Sequence, residues 1–183
     1  MTKQAMNQAA PSAAGVSPAA DRGYSDGGSG IDGLSQFISF AIGDDQYGVD
    51  IMAVREIKGW SQITPLPRQP DYMRGVLNLR GVMVPILDLR CRFGQGKTEA
   101  TPLHIVIVVQ IDARHVGLLA DRVLDIVAFD ASQIQPVPRI AQAARADFLS
   151  GLMTIESGMI ALIDLSHLLS ESIGEGAKIE TAA

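Results

Sequence analysis

The fold is decided by the stretch Gly75-Val-Leu-Asn-Leu-Arg-Gly-Val-Met-Val-Pro-Ile-Leu-Asp-Leu89. Two short apolar runs, residues 76–79 and 82–88, lie on either side of the dipeptide Arg80-Gly81. Short apolar runs joined by a two-residue turn that contains glycine are typical of a β-hairpin. This stretch therefore predicts a pair of short antiparallel strands.

The same pattern occurs a second time in the chain. Matching residues are 69 positions apart at first, then 71, then 76, a drift that small loop insertions would cause. The matches are Phe37-Ile-Ser-Phe-Ala-Ile42 with Val106-Ile-Val-Val-Gln-Ile111; Gly48, Val54, Glu56 and Ile57 with Gly117, Val123, Asp125 and Ile126; Ile63-Thr-Pro-Leu-Pro-Arg68 with Ile134-Gln-Pro-Val-Pro-Arg139; and Gly75, Ile86, Asp88 and Leu89 with Gly151, Leu162, Asp164 and Leu165. Such an ordered series indicates an internal duplication into two units of roughly 65 residues.

Within each unit the local signals favour strands. The segment Gly43-Asp44-Asp45 predicts the turn of a first hairpin, Arg80-Gly81 that of a second, and both hairpins recur in the second unit. Short helices are predicted at residues 51–58, with Asp50 as N-cap and Gly59 as stop, and at residues 70–74. The predicted strands are residues 37–42, 46–49, 76–79, 82–88, 103–111, 115–119, 152–155 and 159–163.

Strands this short cannot bury one face as an open sheet. Closing each unit into a small barrel would bury that face and remove the strand edges. A barrel of roughly 65 residues is marginal by itself, so the two barrels are expected to share an apolar interface. We therefore predict a mainly all-β fold of two small barrels, one from each repeat, with short helices.

The composition excludes several classes of protein. The hydrophobic fraction of 47% can build a core, while the net charge of −5 argues against a nucleic-acid-binding protein. The single cysteine, Cys91, cannot form an intramolecular disulfide, which is typical of a reducing compartment. The N-terminus lacks the apolar run of a signal peptide, and no run approaches the roughly 20 apolar residues of a membrane span. We expect a cytoplasmic protein.

The ends of the chain differ in composition from its centre. Residues 1–34 are rich in Ala, Gly, Ser, Pro and Gln and lack apolar periodicity, which predicts a disordered N-terminal tail. Residues 174–183 predict a flexible C-terminal tail. The ordered domain is expected at residues 35–173, with the first repeat at about 36–94 and the second at about 104–170.

A phosphate-binding loop is suggested by Gly94-Gln-Gly96-Lys97-Thr98. That motif needs a glycine five residues before Gly96, where this chain has Cys91. It also needs a helix after Thr98, where Thr101-Pro102 instead leads into a strand. We interpret the segment as a polar linker between the two units.

Nucleophilic and metal chemistry lack the partner groups that they require. Arg90 and Arg92 could lower the pKa of the Cys91 thiol, but catalysis would also need a base. None of the histidines has a recognisable spacing to Cys91, and two of them beside one hairpin make a poor metal site without a third ligand. The histidines are His104, His115 and His167.

A pair of aspartates could suggest acid–base catalysis. Asp88 and Asp164 occupy equivalent places in the repeat, each after an apolar strand and before a leucine. Aspartate at such a place commonly caps the next turn. We predict structural roles for both, and we expect no catalytic residue, no metal and no cofactor.

The two repeats differ at the turn of the second hairpin. Arg80 has no basic counterpart, because the second repeat carries Glu156 there, so the duplication does not explain it. An arginine at a tight turn can pair with a carboxylate of a partner. It can equally be an ordinary solvated turn residue, and composition does not separate the two interpretations.

Two segments closely resemble the CheW family of chemotaxis coupling proteins. They are Tyr47-Gly-Val-Asp-Ile-Met-Ala-Val-Arg-Glu-Ile57 and the stretch from Gly75 to Leu89, and the resemblance extends over about residues 36–170. The regulatory domain of the chemotaxis kinase CheA shares the pattern. The phosphotransfer and ATP-binding domains of that kinase have no room in this chain.

The resemblance implies two SH3-like five-stranded β-barrels and a scaffold without enzymatic activity. Such a scaffold binds the regulatory domain of a CheA-type histidine kinase, and it binds the cytoplasmic helical hairpin of chemoreceptors in a groove between the barrels. It is recruited to membrane receptor arrays without inserting into the membrane. The implied groove residues are Val54, Gly75, Ile105 and Ile126. The implied kinase or receptor contacts are Glu56, Ile57, Arg80 and Gly81, and their division between the two partners stays open.

Three other interpretations have to be weighed. An equivalent adaptor could serve a chemosensory array that controls pili or biofilm, which only neighbouring genes would separate from chemotaxis. An enzyme would depend on Cys91 and the histidines alone. An SH3-like nucleic-acid-binding module is disfavoured, because the ordered domain carries a net negative charge that would repel phosphates.

Overall fold

The computed structural model describes residues 34–138 and 146–174. The predicted tails, residues 1–34 and 174–183, lie outside the described residues except for Leu34 and Gly174. The strands are β1 (Leu34–Ile42), β2 (Asp45–Asp50), β3 (Val54–Gly59), β4 (Met73–Leu79), β5 (Val82–Asp88), β6 (Ile105–Ile111), β7 (Arg114–Ala120), β8 (Arg122–Asp130), β9 (Leu149–Ile155) and β10 (Gly158–Ile163). The α-helices are α1 (Leu89–Arg92) and α2 (Leu165–Gly174).

The strands form two five-stranded sheets. Sheet 1 has the order β8-β1-β2-β10-β9, and sheet 2 has the order β3-β6-β7-β5-β4. Most neighbouring strands are antiparallel, and β10 with β2 and β5 with β7 are parallel. The mainly all-β class predicted from the sequence is confirmed.

Each sheet contains strands from both repeats, so the prediction that each repeat closes on itself is wrong. The first two strands of one repeat pair with the last three strands of the other. The third strand of each repeat does not pair with the first hairpin of its own repeat. Instead, β3 pairs with β6 and β8 pairs with β1, the first strand of the other repeat. Both repeats present the same apolar pattern, so local sequence does not determine which copy a third strand joins.

Each sheet has one isolated bridge outside its strands. Thr64, which follows β3, bonds to Val76 of β4, and Gln135, which follows β8, bonds to Leu152 of β9. In each sheet these bridges connect the segment after one outermost strand to the other outermost strand. This is the curvature that small barrels require, and full closure into SH3-like barrels stays a prediction.

The largest apolar cluster lies between the two sheets and is called here the inter-sheet core. It combines β1 and β2 of sheet 1 with β6 and β7 of sheet 2. Four aromatic rings cross it in a series, with centroid separations of 6.2, 4.9 and 6.3 Å, and they belong to Phe40, Tyr47, Phe93 and Phe148. Each sheet also has a smaller cluster of its own. An apolar interface is therefore present, but it lies between the two mixed sheets and not between the two repeats as predicted.

Both predicted short helices are wrong. Asp50 does cap a helical turn, since its carboxylate accepts a hydrogen bond from the Met52 amide at 2.8 Å, but that turn covers only Ile51–Ala53. The chain then extends as β3 because pairing with β6 outweighs local helix propensity. Residues 70–74 form one hydrogen-bonded turn, from the Met73 amide to the Pro70 carbonyl, and continue into β4.

Candidate protein-binding surfaces

Two of the predicted groove residues lie at the margin of the inter-sheet core. Val54 begins β3 and Ile105 begins β6, and both are partly buried against that core. In the register of the two strands Val54 lies opposite Val109, while Ile105 lies opposite Gly59. Four residue steps along β6 separate the two positions, a distance of about 13 Å. Val54 and Ile105 thus mark the two ends of one apolar margin.

Ile57 of β3 and Ile126 of β8, one in each sheet, are two exposed apolar residues opposite residues of the inter-sheet core. Ile57 lies opposite Ile107, and Ile126 lies opposite Ile38. Residues directly opposite each other in antiparallel strands place their side chains on the same face, and Ile38 and Ile107 both belong to the inter-sheet core. Nevertheless Ile57 is 40% exposed and Ile126 is 56% exposed. We call Val54, Ile57, Ile105 and Ile126 the apolar rim.

Gly75, the fourth predicted groove residue, is not part of this rim. It is buried, its φ is +134°, and an added Cβ would overlap the carbonyl oxygen of Thr64 and lie 2.8 Å from Pro65 Cα. Glycine is therefore required so that the segment after β3 can approach β4 closely. The geometry gives Gly75 a structural role and brings it into no exposed surface.

Replacing Gly75 by alanine should lower the free energy of unfolding by about 2–4 kcal/mol, because the Cβ would meet backbone atoms and the φ is strained. Urea unfolding of the purified protein would measure this loss. Gly59→Ala is a matched control in β3, since an added Cβ there has no neighbour within 4 Å. Equal stability of the two variants would contradict the close approach of Thr64.

The second predicted group forms a charged corner at the turn between β4 and β5. The Arg80 guanidinium lies 3.3 Å from the Glu56 carboxylate of β3, and the Arg80 side chain is 85% exposed. Since β3 and β4 are the outermost strands of sheet 2, this ion pair connects opposite edges of the sheet. We call Glu56, Arg80 and Gly81 the charged corner.

The turn at the charged corner has an unusual backbone. Arg80 has a φ of +52° and Gly81 a φ of +91°, and the Gly81 amide donates to the Asn78 side chain at 2.8 Å. A two-residue hairpin with both φ values positive favours Asn or Gly at its first position. Arginine is disfavoured on that backbone, so its presence points to a function of the side chain.

Two exposed apolar residues beside the charged corner have no clear signal in the sequence. Val82 and Met83 follow directly on the Arg80-Gly81 turn and are exposed, although β5 reads as a buried apolar strand. The repeat provides one clue for Met83, because its counterpart Met159 is exposed at the equivalent hairpin.

Asp88 and Asp164 have the capping roles predicted for them. Asp88 is fully buried, and its carboxylate accepts hydrogen bonds from the Cys91 amide, the Thr98 amide, the Thr98 hydroxyl and Arg74, at 2.7–3.1 Å. The segment between the repeats is thus anchored at Thr98 and is more than a polar linker. Asp164 accepts from the backbone amide of His167 at 3.0 Å.

The remaining titratable groups favour structural roles. Burial, with the nearby Asp88 carboxylate, raises the pKa of the Cys91 thiol, which makes it a poorer nucleophile. Burial alone would raise the pKa of Asp164, but hydrogen bonds from the His167 amide and ring hold it below its usual range. The same ring contact raises the pKa of His167.

The described residues contain neither a cluster of metal ligands nor a helix that could span a membrane. There, no three side chains of His, Cys, Asp or Glu are grouped so that they could hold a metal ion. No helix in residues 34–138 or 146–174 is long and apolar enough to cross a membrane.

The chain is similar to known proteins over most of its length. The sequence model of a protein family, the CheW-like domain, matches residues 36–172. The chain is 43% identical to the probable chemotaxis protein CheW of Rhizobium etli over 79% of this chain and 94% of the relative. It is 40% identical to the chemotaxis protein CheW of Klebsiella aerogenes over 74% of this chain and 81% of the relative.

A solved structure has the same fold. The scaffolding protein TtCheW from Thermoanaerobacter tengcongensis superposes with a TM-score of 0.68 at 32% identity, covering 74% of this chain and 87% of that one. Because the family model and these relatives cover most of the chain, the protein belongs to the CheW family.

Proposed function

We propose that this protein is a non-enzymatic adaptor that couples chemoreceptor signalling tips to a CheA-type histidine kinase in bacterial chemotaxis. The observation that carries the proposal is the apolar rim, where Ile57 and Ile126 remain exposed beside the inter-sheet core. An adaptor needs surfaces for two partners, and the charged corner provides a second surface of different chemistry. The relatives named as chemotaxis and scaffolding proteins support the same conclusion.

The apolar rim is assigned to the receptor. A receptor tip of the kind the family binds is a helical hairpin, and an amphipathic helix docks through apolar side chains that recur once per turn. Val54 and Ile105 are about 13 Å apart along the strands, which corresponds to between two and three helical turns. The rim is therefore long enough for a helix, and we include Ile57 in it because of its register with Ile107.

The charged corner is assigned to the regulatory domain of the kinase. The Arg80 guanidinium is mostly exposed, so most of its donors are available to a partner carboxylate despite the contact with Glu56. Exposed Val82 and Met83 beside it supply apolar area for the same contact. Gly81 belongs to this surface because it sets the turn that presents Arg80.

The adaptor would act in the cytoplasm, recruited to membrane receptor arrays by its partners. Reconstitution tests the proposal with the full chain, a receptor signalling-tip fragment and the kinase with its regulatory domain. We expect a complex of all three components, and receptor-dependent stimulation of kinase autophosphorylation only when the adaptor is present. Displacement of one partner by the other would contradict the two-surface arrangement.

A further inference from the structure

Asp121 lies where the chain passes from one sheet to the other. Within the described residues the chain makes two such crossings, one after β2 and one after β7. The first crossing takes the three residues Ile51–Ala53, whereas the second is Asp121 alone, between β7 of sheet 2 and β8 of sheet 1. A displacement of one sheet relative to the other at this point therefore has to move the backbone of Asp121.

The Asp121 carboxylate contacts segments that belong to both sheets. One oxygen accepts a hydrogen bond from the Gly43 amide, in the turn between β1 and β2 of sheet 1, at 2.7 Å. The same oxygen accepts from the Arg90 guanidinium of α1, which follows β5 of sheet 2, at 2.6 Å. The other oxygen lies 3.6 Å from Nε2 of His104, directly before β6 of sheet 2. We call Gly43, Arg90, His104 and Asp121 the crossover clamp.

The surroundings of Asp121 keep the crossover clamp charged and orient its histidine. Burial alone would raise the pKa of Asp121, but the Gly43 amide and the Arg90 guanidinium hold it below its usual range. The Thr101 amide donates to Nδ1 of His104 at 3.0 Å, so the neutral ring carries its proton on Nε2, the nitrogen that faces Asp121. Because hydrogen bonds to a carboxylate are directional, the clamp adds a directional constraint to the non-directional packing of the inter-sheet core.

The internal duplication does not account for Asp121. Its counterpart in the first repeat, 69 positions earlier, is Met52, whose side chain is 77% exposed. A methionine cannot form the ion pair that Asp121 forms with Arg90. Since the repeated fold forms with a methionine at one of the two equivalent crossings, the clamp at Asp121 points to a function beyond folding.

The crossover clamp lies next to strands that carry the apolar rim. His104 directly precedes Ile105 at the start of β6, and β8, which follows Asp121, carries Ile126. Ile105 belongs to sheet 2 and Ile126 to sheet 1, so the rim spans both sheets. The charged corner, by contrast, belongs to sheet 2 alone. A change in the relative position of the sheets should therefore alter the rim and leave the charged corner intact.

We infer that Asp121 is a positioning residue that sets the distance between the two halves of the receptor surface. The inference rests on the proposed function, which assigns the apolar rim to a receptor hairpin and the charged corner to the kinase. In this role Asp121 acts through the crossover clamp and not by contact with the receptor. Its carboxylate holds the starts of β6 and β8, so that Ile105 and Ile126 meet a helix at a fixed separation. A residue outside an interface can change binding affinity in this way.

Spin labels on the two sheets would measure their relative position directly. Met83 of sheet 2 and Met159 of sheet 1 are both exposed, and Cys91 is the single cysteine of the chain. Full-length protein with Cys91→Ser, Met83→Cys and Met159→Cys would carry the labels, and pulsed electron paramagnetic resonance would give the distance between them. Asp121→Asn should broaden this distance distribution, because the asparagine amide has no charge with which to bind Arg90.

Calorimetry on unlabelled full-length variants would test the consequence for binding. Asp121→Asn should weaken binding of the receptor signalling-tip fragment about fivefold to tenfold and leave binding of the kinase regulatory domain unchanged. Arg90→Ala should have the same effect, and Arg90→Lys should keep part of the receptor affinity because lysine keeps the charge. Partial unfolding would instead weaken both interactions alike.

Asp164→Asn is the matched control. Asp164 is likewise a partly exposed carboxylate that accepts a hydrogen bond from a backbone amide, that of His167, but its side-chain partners among the described residues lie in α2. This variant should leave the label distances and both affinities unchanged.

Several results would overturn the inference while the proposed function stands. They are an unchanged distance distribution or unchanged receptor affinity in Asp121→Asn, equal losses of receptor and kinase binding, and equal effects in Asp164→Asn. Failure of the wild-type chain to bind the receptor fragment would overturn the proposed function and the inference with it, even if Asp121→Asn broadens the distance distribution.

Discussion

Replacing Ile126 by aspartate should weaken receptor binding roughly a hundredfold and leave the protein folded. Ile126 is 56% exposed in the free protein, so the substitution removes little internal packing. In the complex it loses apolar contact and places a charge in an apolar interface, a combined cost of about 3 kcal/mol. That cost corresponds to roughly two orders of magnitude in affinity. Calorimetry with a receptor signalling-tip fragment would measure it.

Two comparisons make this result interpretable. Met159→Asp introduces the same charge at another exposed apolar residue outside the rim and should bind the receptor normally. Val54→Asp is a less clean test of the rim, because Val54 packs partly against the inter-sheet core and a charge there would also destabilise the fold. If Ile126→Asp binds like the wild type while circular dichroism and melting are unchanged, the apolar rim is not the receptor site.

The hairpins were predictable from sequence because their determinants are local. Gly43 and the pair Arg80-Gly81 have positive φ values at the two predicted turns, and apolar strands flank both. Asp88 and Asp164 were predictable for the same reason, since a cap needs only the next few residues.

The exchange of the last three strands between the repeats was not predictable from local pattern. Residues after Asp50 carry both a capped helical start and the alternation of a strand, and only pairing with β6 decides between them. The segment around Thr98 reads as a polar linker because the buried carboxylate that anchors it, Asp88, is brought there by the fold. The deciding partner of β3 belongs to the other repeat, and the partner of Thr98 is a carboxylate ten residues earlier that becomes buried only in the folded chain.

The residues of the binding surfaces were likewise only partly predictable from the sequence. The family resemblance implies that both Gly75 and Ile57 contact a partner protein. The structure shows that their surroundings differ. Gly75 is buried against the Thr64 backbone, whereas Ile57 lies on the face of the inter-sheet core.

Replacing Arg80 by alanine should abolish receptor-dependent activation of the kinase, a loss of at least tenfold, while the free energy of unfolding changes by less than about 0.5 kcal/mol. The Arg80 side chain is 85% exposed, and its 3.3 Å contact with Glu56 is a surface ion pair of small worth. Kinase autophosphorylation with receptor and adaptor measures the first quantity, and urea unfolding of each variant measures the second.

The backbone at Arg80 provides a second, sharper variant. A φ of +52° costs an ordinary residue roughly 1 kcal/mol but suits asparagine. Arg80→Asn should therefore be at least as stable as the wild type and equally inactive, and Arg80→Lys should restore activation only in part because a lysine cannot bind a carboxylate in a bidentate manner. Arg55→Ala is the matched control, since Arg55 is an exposed arginine of β3 that bonds only to Gln110 among the described contacts.

Exchange of the two charges separates a contact within the chain from a contact with the kinase. The double variant with Glu56→Arg and Arg80→Glu keeps an ion pair across the edges of sheet 2 with its polarity reversed. If the pair acts as an internal strut, the double variant should recover the activity that Arg80→Glu alone loses. We expect no recovery, because a carboxylate of the kinase would then face Glu at position 80 and be repelled. Recovery of activation, or a large loss of stability in Arg80→Ala, would make Arg80 a structural residue.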